Sequence, residues 1–250
     1  MKNEWKESLA KKYIKEYQLK KVGTDLALRI YSTHLLGNNP ELVLHGGGNT
    51  SVKSIKQNLV GKDKDVLFVK GSGGDMSNLN ERGLPGLYLD PLLKTLSLKK
   101  MSDEKMVNYL RSNLLDSSSP NPSIETLLHA YLPFKYVDHT HSNAILSLVN
   151  LDNSREILNR IYKEKIAIVP YVMPGFELAK LCHMVISKNH KVEGLILLNH
   201  GIFTFGSSAK QSYDRMIKLV TLAENFLNKQ KKLIKYNINN KKINITDVQL

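Results

Sequence analysis

The 250-residue chain is 42% apolar and 24% charged, with 36 Lys and Arg residues against 23 Asp and Glu residues. This composition excludes an intrinsically disordered chain, and the length can bury the core of one large domain or two small ones. No apolar run approaches the ~18 residues of a membrane span, and the N-terminus lacks the apolar segment of a secretory signal. The single cysteine, Cys182, allows no internal disulfide. We therefore expect a protein of the reducing cytoplasm.

The formal net charge of +13 is concentrated at the two ends of the chain. Residues 1–21 hold seven Lys and three Glu, and residues 228–250 hold six Lys and one Asp, so the ends supply +9 of the +13. The central part has a nearly ordinary charge, and no stripe of basic and aromatic residues typical of a nucleic-acid binder is evident. We expect no nucleic-acid partner and no membrane partner. Residues 229–250 are interpreted as a basic tail rich in Lys and Asn.

Helical and extended patterns mingle along the chain. An N-terminal helical extension is predicted over residues 1–23, and helical periodicity follows over 24–36. Two stretches, 42–54 and 65–76, each read as a strand followed by a glycine-rich loop. The later elements, in order, are a helix over 102–115, a helix over 123–132, a strand over 135–141 continued after a break by 144–148, a helix over 154–165, a strand over 166–169, a helix over 176–188, strands over 194–198 and 202–205, and a long helix over 208–228. The pattern predicts one α/β or α+β domain whose sheet is covered by helices.

Three histidines form the strongest chemical pattern. His139 and His141 lie on a predicted strand, where residues two apart point to the same face, so both imidazoles can reach one ion. Alone, such a pair is more often two core or surface histidines. His200 adds a third imidazole, in a tight Asn-His-Gly turn at the end of an apolar strand. Three histidines without a fourth protein ligand are typical of a catalytic zinc site. Among the other histidines, only His45, beside three glycines, lacks an evident structural context.

Glu125 is a candidate acid or base. It is predicted in the first turn of a helix, 14 residues before His139, close enough in the chain to be brought beside a metal. An acidic residue in that position also stabilises the helix dipole, which is the simpler interpretation of Glu125 taken alone.

Two glycine-rich loops are candidates for a phosphate site. The first is His45-Gly-Gly-Gly-Asn49-Thr-Ser51 and the second is Lys70-Gly-Ser72-Gly-Gly-Asp75. Glycines let backbone N–H groups turn toward an anion, and the polar side chains add donors. Neither loop is a Walker A motif or a complete dinucleotide fingerprint. Either loop alone could be a flexible surface turn, but two polar glycine loops after successive strands favour phosphate binding.

These motifs resemble those of a known family. HGGGNTSVK, VKGSGGDM, PSIETLLHAYLPFKYVDHTH and LLNHGIFTFG occur in the order and roughly the spacing of the class II aldolase/adducin family, over about residues 24–228. The sequences of these motifs are most similar to those in the aldolase half of bifunctional rhamnulose-1-phosphate aldolase/short-chain dehydrogenase proteins. The resemblance implies a three-layer α/β fold, with a central, largely antiparallel or mixed β-sheet covered by helices on both faces. It also implies a homotetramer.

The resemblance further implies roles for individual residues. One Zn²⁺ per subunit would be bound by His139, His141 and His200, and Glu125 would be the catalytic acid/base. The substrate phosphate would be held by polar residues of the two loops and of the segment before Glu125, namely Asn49, Ser51, Ser72, Gly73 and Ser123. Ile124 departs from the smaller aldolases, which have a second Ser or Thr there, and this puts one phosphate hydrogen bond in doubt.

The implied activity is that of an aldehyde-lyase. It would cleave a ketose 1-phosphate such as rhamnulose 1-phosphate to dihydroxyacetone phosphate and a hydroxy-aldehyde such as L-lactaldehyde. A sugar-phosphate 4-epimerase with the same zinc chemistry and an adducin-like interaction module are the alternatives within the family. The bifunctional relatives continue into a Rossmann dehydrogenase, whereas this sequence ends in a lysine-rich segment. We therefore expect either a removed dehydrogenase half or a stand-alone aldolase domain.

Overall fold

A computed structural model describes residues 1–240 of the chain, with side chains through residue 231. Seven strands form one mixed sheet in the order β3-β2-β1-β4-β7-β6-β5. Neighbouring strands are antiparallel except for β5 and β6, which are parallel. The strands are β1 (Asn49–Gln57), β2 (Asp63–Val69), β3 (Gly86–Tyr88), β4 (Tyr136–Thr140), β5 (Ile166–Val169), β6 (Gly194–Leu197) and β7 (Gly201–Gly206).

Helices cover both faces of this sheet. They are α1 (Glu7–Leu19), α2 (Thr24–Gly37), α3 (Leu89–Lys94), α4 (Asp103–Ser112), α5 (Thr126–Tyr131), α6 (Asn143–Val149), α7 (Ser154–Tyr162), α8 (Phe176–Lys188) and α9 (Ala209–Asn240). Side chains alternate along each strand, so Val137 and Phe203 pack with α3, α4, α5 and α8, whereas Tyr136 and Ile202 face the other helices. The three-layer α/β architecture with a largely antiparallel, mixed sheet confirms the predicted fold class.

Two local predictions were wrong. Residues 42–44 do not form a strand before the first glycine loop. The N–H groups of Leu42 and Val43 donate to the Asn39 carbonyl in a turn, and β1 begins only at Asn49, after the three glycines. Residues 144–148 continue no strand, because they lie in α6 with Ala144, Ile145 and Leu148 on its buried side. Short apolar runs carry too little periodicity to separate strand from helix or turn.

A helix lies near each end of the described chain. The predicted N-terminal extension contains α1, whose Tyr13 and Tyr17 rings pack beside α2. The last helix, α9, runs to Asn240, through the first part of the segment predicted as a basic tail; residues 241–250 lie outside the described residues. The predicted division into 1–23, 24–228 and 229–250 stays a prediction. No helix within residues 1–240 is long and apolar enough to cross a membrane.

A buried ion pair ties α2 to the central strand β4. Arg29 of α2 contacts Asp138 of β4, and both side chains are fully buried. The guanidinium also donates to the Ser51 carbonyl at 3.2 Å and to Ser32 Oγ at 2.6 Å. Asp138 lies between Val137 and His139 and therefore points to the opposite face of the sheet from His139. The ion pair thus fixes α2 to β4 on the face of the sheet opposite the His139 side chain.

Candidate metal and phosphate site

The sheet topology gathers the candidate residues at one end. Strands β2, β1, β4 and β7 are adjacent and antiparallel, so the end of β2, the start of β1, the end of β4 and the start of β7 lie together. These strand ends carry, respectively, the loop 70–75, Asn49, the pair His139 and His141, and His200. Asn49 and His139 are direct partners in the β1–β4 ladder. Residues far apart in sequence therefore meet because of strand order alone.

The three histidines converge on one point. One ring nitrogen from each of His139, His141 and His200 lies within 4.8 Å of the other two. His139 Nδ1 lies 3.0 Å from the Ile202 carbonyl, which can only accept, so the neutral ring carries its proton there and turns a bare Nε2 toward His141 Nε2, 2.9 Å away. His200 sits in a turn where Asn199 adopts a positive φ of 56°, a conformation that Asn tolerates.

All three imidazoles are neutral near pH 7. Burial lowers the pKa of His139 well below its usual value, and the other two histidines lower it further. Burial lowers the pKa of His141 as well, and burial together with His141 lowers the pKa of His200 to about 4. Neutral imidazole is the form that binds a metal ion, because the ligand nitrogen must be free of its proton.

Glu125 lies against these histidines. It is the residue just before α5, is buried, and places its carboxylate oxygens 3.4 Å from His200 Nε2 and 3.5 Å from His139 Nε2. Burial raises the pKa of Glu125 to about 7, although a hydrogen bond from Asn49 and the charge of Lys70 act in the opposite direction. A carboxyl group with a pKa near the working pH can both release and take up a proton.

The two glycine loops touch each other beside Glu125. A Cβ on Gly46 would lie 3.0 Å from the Gly73 carbonyl oxygen, so the loops are in close contact. The Lys70 ammonium joins them by donating to the Gly46 carbonyl at 3.1 Å and to the Gly74 carbonyl at 2.6 Å. The second loop is joined to the segment before Glu125, since Ser72 N–H donates to the Asn121 carbonyl at 2.8 Å.

The predicted phosphate-binding residues have different environments. Ser72 and Gly73 are exposed on the second loop, whereas Asn49 and Ser123 are buried and joined by a 3.1 Å hydrogen bond from Asn49 Nδ2 to Ser123 Oγ. Ser51 departs from the prediction, because its hydroxyl is buried and bonded to His129 Nδ1 at 2.7 Å rather than facing the loops. Asn49 and Ser123 therefore contact Glu125 directly, whereas the Ser51 hydroxyl bonds to His129.

The residues present fit a metal ion. The donor set is three neutral nitrogens, which suits zinc, and His139 is oriented by a hydrogen bond from its other ring nitrogen, as metal-binding histidines usually are. In the described part of the chain, His200 Nδ1 and Glu125 Oε1 are buried polar atoms without a hydrogen-bond partner. Buried polar atoms normally have partners, so two unpaired atoms on the residues of this cluster fit a site that binds a ligand.

The sequence interpretation missed two residues behind the site. His129 is buried within α5 and bonds to both Asn49 and Ser51, and Lys53 donates to the carbonyl oxygens of His129, Leu132 and Phe134 at the end of α5. Periodicity places both residues near predicted site residues, but it does not show which groups they bond to. His129 is four residues from Glu125, one helical turn away, and Lys53 shares a strand face with Asn49 and Ser51.

Comparisons with known proteins agree with the fold and the residue pattern. The sequence pattern of the Class II Aldolase and Adducin N-terminal domain family matches residues 29–227. A solved structure described as the N-terminal class II aldolase domain of a conserved protein from Thermoplasma acidophilum is 39% identical, with a TM-score of 0.80 over 91% of this chain and 99% of that chain.

Two curated relatives differ in how much of their length is matched. A Bacillus subtilis protein named uncharacterized oxidoreductase YuxG is 39% identical over 199 residues, and the match covers 80% of this chain but only 29% of that protein. An L-fuculose phosphate aldolase from Methanococcus maripaludis is 28% identical over 167 residues, which cover 64% of this chain and 87% of the aldolase. The L-fuculose-1-phosphate aldolase structure from Thermus thermophilus is similar in fold, with a TM-score of 0.55 at 16% identity, covering 83% of this chain and 94% of that one.

Proposed function

Because the chain belongs to the class II aldolase and adducin family, we propose that it is a zinc-dependent aldolase that cleaves a ketose 1-phosphate. The observation that carries the proposal is the convergence of three neutral imidazoles on one buried carboxyl group, that of Glu125, beside two touching glycine loops. An interaction module without chemistry would have no need for a buried carboxyl group whose pKa is about 7 next to three metal-ligand side chains.

His139, His141 and His200 would hold the metal, and zinc bound there would supply Lewis-acid polarisation of the sugar's ketone and adjacent hydroxyl oxygens. The three rings would not have to lose a proton to bind the metal, because burial already favours their neutral form. The hydrogen bond between His139 and the Ile202 carbonyl fixes the direction of one of these ligands.

Glu125 would move the proton at the reacting carbon. Cleavage of the C3–C4 bond leaves its electron pair on C3, the C4 hydroxyl loses its proton to a second base, and a protonated Glu125 delivers a proton to C3. The products are dihydroxyacetone phosphate and a hydroxy-aldehyde. In the direction of synthesis the Glu125 carboxylate removes the same proton. A pKa near 7 allows both steps, because neither protonation state is strongly disfavoured at neutral pH.

The glycine loops would hold the substrate phosphate, with Ser72, Gly73, Asn49 and Ser123 as its contacts. The phosphate does not react, so its binding energy would serve to orient the carbon chain over Glu125 and the metal. Lys70 would hold the two loops together through its hydrogen bonds to the carbonyl oxygens of both. Rhamnulose 1-phosphate and fuculose 1-phosphate are the substrates we propose to test first, since both yield L-lactaldehyde and one curated relative is an L-fuculose phosphate aldolase.

Two further parts of the proposal come from the family resemblance. We propose a cytoplasmic homotetramer, which multi-angle light scattering can test. We also propose that the chain corresponds to the aldolase half of a bifunctional aldolase/dehydrogenase, because it matches 29% of the length of a relative named as an oxidoreductase.

Metal analysis coupled to a product assay tests the activity. The purified 250-residue chain should contain about one zinc per subunit and release dihydroxyacetone phosphate and L-lactaldehyde from rhamnulose 1-phosphate or fuculose 1-phosphate. Interconversion of pentulose 5-phosphates without release of products would identify an epimerase instead. Metal-free protein that cannot be loaded with zinc and is inactive would favour the interaction module.

Substitution of Glu125 tests its role. Glu125→Gln should keep the zinc content and lower turnover by about 10²- to 10⁴-fold, the usual contribution of a general acid or base. Glu177→Gln, at an exposed carboxylate in the first turn of α8, is the matched control and should leave turnover unchanged. Unchanged turnover in Glu125→Gln would remove this residue from the reaction.

A further inference from the structure

A chain of four buried hydrogen-bonded side chains runs from β1 to the carboxylate of Glu125. Ser51 Oγ lies 2.7 Å from His129 Nδ1, His129 Nε2 lies 2.5 Å from Asn49 Oδ1, and Asn49 Nδ2 lies 2.6 Å from Glu125 Oε2. Each of the four residues has at most 6% of its surface exposed. Water therefore cannot replace a missing partner without a change in packing, and every donor must meet an acceptor.

The chemistry of the groups determines where the protons lie. Asn49 Nδ2 faces two oxygen atoms, Glu125 Oε2 at 2.6 Å and Ser123 Oγ at 3.1 Å, and the two hydrogens of the amide NH₂ group can donate to both. The carbonyl oxygen of Asn49 then faces His129 Nε2, which must carry a proton to donate to it. His129 Nδ1 is consequently bare and accepts from the hydroxyl of Ser51.

The opposite arrangement is unfavourable. A reversed amide would place the Asn49 oxygen at hydrogen-bond distance from Glu125 Oε2, which is repulsive whenever Glu125 is ionised, inside a site with little water to screen the two oxygens. A proton on His129 Nδ1 would leave Asn49 Oδ1 facing a second acceptor. Every polar atom of Asn49 is used in the first arrangement, and only a donor at Nε2 of His129 completes it.

We propose that His129 is a positioning residue for Glu125, and that its neutral ring, with the proton on Nε2, holds the Asn49 amide in the orientation that donates to the carboxylate. The role of Glu125 in this inference rests on the proposed function, whereas the proton position rests on the hydrogen-bond geometry alone.

The surroundings of His129 keep the ring neutral and immobile. Burial lowers the pKa of His129 to about 3, and the charges of Lys53 and Arg29 act in the same direction. Lys53 donates to the main-chain carbonyl of His129 at 3.0 Å, and the ring packs edge-on against Phe203 with a centroid distance of 5.6 Å. A doubly protonated ring would donate from both nitrogens, so the Ser51 hydroxyl would have to accept from Nδ1 instead of donating to it.

The proton position can be measured in the wild-type protein. Long-range ¹H–¹⁵N correlation spectra of protein with ¹⁵N-labelled histidine distinguish the two neutral tautomers, and the His129 signals are those missing from His129→Gln. We expect protonated Nε2 and bare Nδ1 at pH 8, above the pKa of Glu125, with and without zinc. A proton on Nδ1 in the zinc-loaded protein would overturn the proposal, whatever reaction the protein catalyses.

Two substitutions separate the hydrogen bond from the packing. His129→Leu removes the donor to Asn49, whereas the side-chain NH₂ of His129→Gln can replace it. We expect His129→Leu to lower kcat by about 10- to 100-fold with KM and zinc content little changed, and His129→Gln to recover most of that loss. His183→Gln, at a partly buried histidine near the Tyr131 carbonyl, is the control and should keep wild-type kcat. Equal losses in His129→Leu and His129→Gln would assign His129 to packing.

A double-mutant cycle tests the connection to Glu125. In a Glu125→Gln background, His129→Leu should cause little further loss of kcat, because the group that it positions is already gone. A full multiplicative loss there would place His129 in another role and overturn the proposal. If His129→Leu does not fold, Ser51→Ala removes the donor to Nδ1 instead and should lower kcat by about threefold to tenfold in the wild-type background only. Wild-type protein inactive on every sugar phosphate would refute the proposed function while the tautomer measurement still decides the proton position.

Discussion

Gly201 offers a way to disturb the metal site from within the sheet. It is the first residue of β7 and follows His200 directly. A Cβ at this position would lie 2.6 Å from the Thr140 carbonyl oxygen, 3.1 Å from His141 Cδ2 and 3.2 Å from His139 Cε1. The new methyl group of Gly201→Ala would therefore be too close to the Thr140 carbonyl of the neighbouring chain segment and to the rings of His139 and His141.

The size of the effect can be worked out from these contacts. Non-bonded heavy atoms pack best at about 3.5–4.0 Å, so the Thr140 carbonyl or the new methyl group must move by roughly 0.9 Å or more. Overpacking of this kind costs about 1–3 kcal/mol of stability. Displacement of oriented ligands commonly lowers metal affinity by about 10- to 100-fold.

Gly194→Ala is the matched control. Gly194 is the first residue of β6, and a Cβ there would lie 2.5 Å from the Phe203 carbonyl oxygen, with Leu219 Cδ1 at 3.1 Å. The clash with a main-chain carbonyl of a neighbouring strand is therefore equivalent, but none of the three atoms nearest to the new Cβ belongs to a histidine ring. Both variants should lose similar stability, while Gly194→Ala should keep metal affinity within about threefold of wild type.

Urea denaturation of the metal-free proteins measures stability, and competition with a chelator of known zinc affinity measures binding. We expect similar unfolding free energies for the two variants and zinc affinity lowered at least about tenfold in Gly201→Ala alone. Wild-type zinc affinity in Gly201→Ala, or equal losses of affinity in both variants, would refute the assignment of the metal to this histidine cluster.

Three further substitutions test the framework around the site. Arg29→Met should lower the free energy of unfolding by about 3–5 kcal/mol, because it leaves Asp138 buried and unpaired, and Asp138→Leu added to it should restore much of the loss; a loss below about 1 kcal/mol would contradict the buried pair. Burial lowers the pKa of Lys53 to about 7 from about 10.4 in an unfolded chain, so the folded state binds fewer protons than the unfolded state between these values, and stability should rise with pH there. Relative to Lys53→Met, wild type should gain about 2 kcal/mol between pH 7 and 9 in urea denaturation, and a flat difference would mean that the three carbonyl oxygens keep the ammonium charged. Gly48→Ala, where φ is +64° and a Cβ would lie 2.7 Å from the His139 carbonyl, should cost at least about 1 kcal/mol more than Gly61→Ala, where φ is +75° and nothing lies within 4 Å; equal thermal shifts would refute the close approach.

Several elements could be predicted from local patterns because the side chains that define them are close in sequence. The helix over 176–188 and the strand over 166–169 have the bounds that the sequence predicted. The errors fell at 42–44 and 144–148, where three and four apolar residues, respectively, have no clear period. In both places tertiary packing, rather than local preference, decided the backbone conformation.

The candidate site could be predicted in part. The spacing of His139 and His141 on a strand and the polar glycine loops are local features, and with the family motifs they singled out the residues that the structure brings together. His129 was not predicted, because its importance depends on a hydrogen bond to a residue 80 positions away. Ser51 was predicted to face the substrate phosphate, yet its hydroxyl bonds to His129 in the buried layer beneath the site.

By itself, the sequence determined which side chains can act as ligands, acids and donors, and that they follow turns at strand ends. The tertiary structure decided which of them share a site, because the antiparallel order of β2, β1, β4 and β7 places these strand ends together. It also decided their protonation. Burial of Glu125 and of the three histidines raises the pKa of the acid and lowers the pKa of each base, and burial results from the packed molecule rather than from any local stretch of sequence.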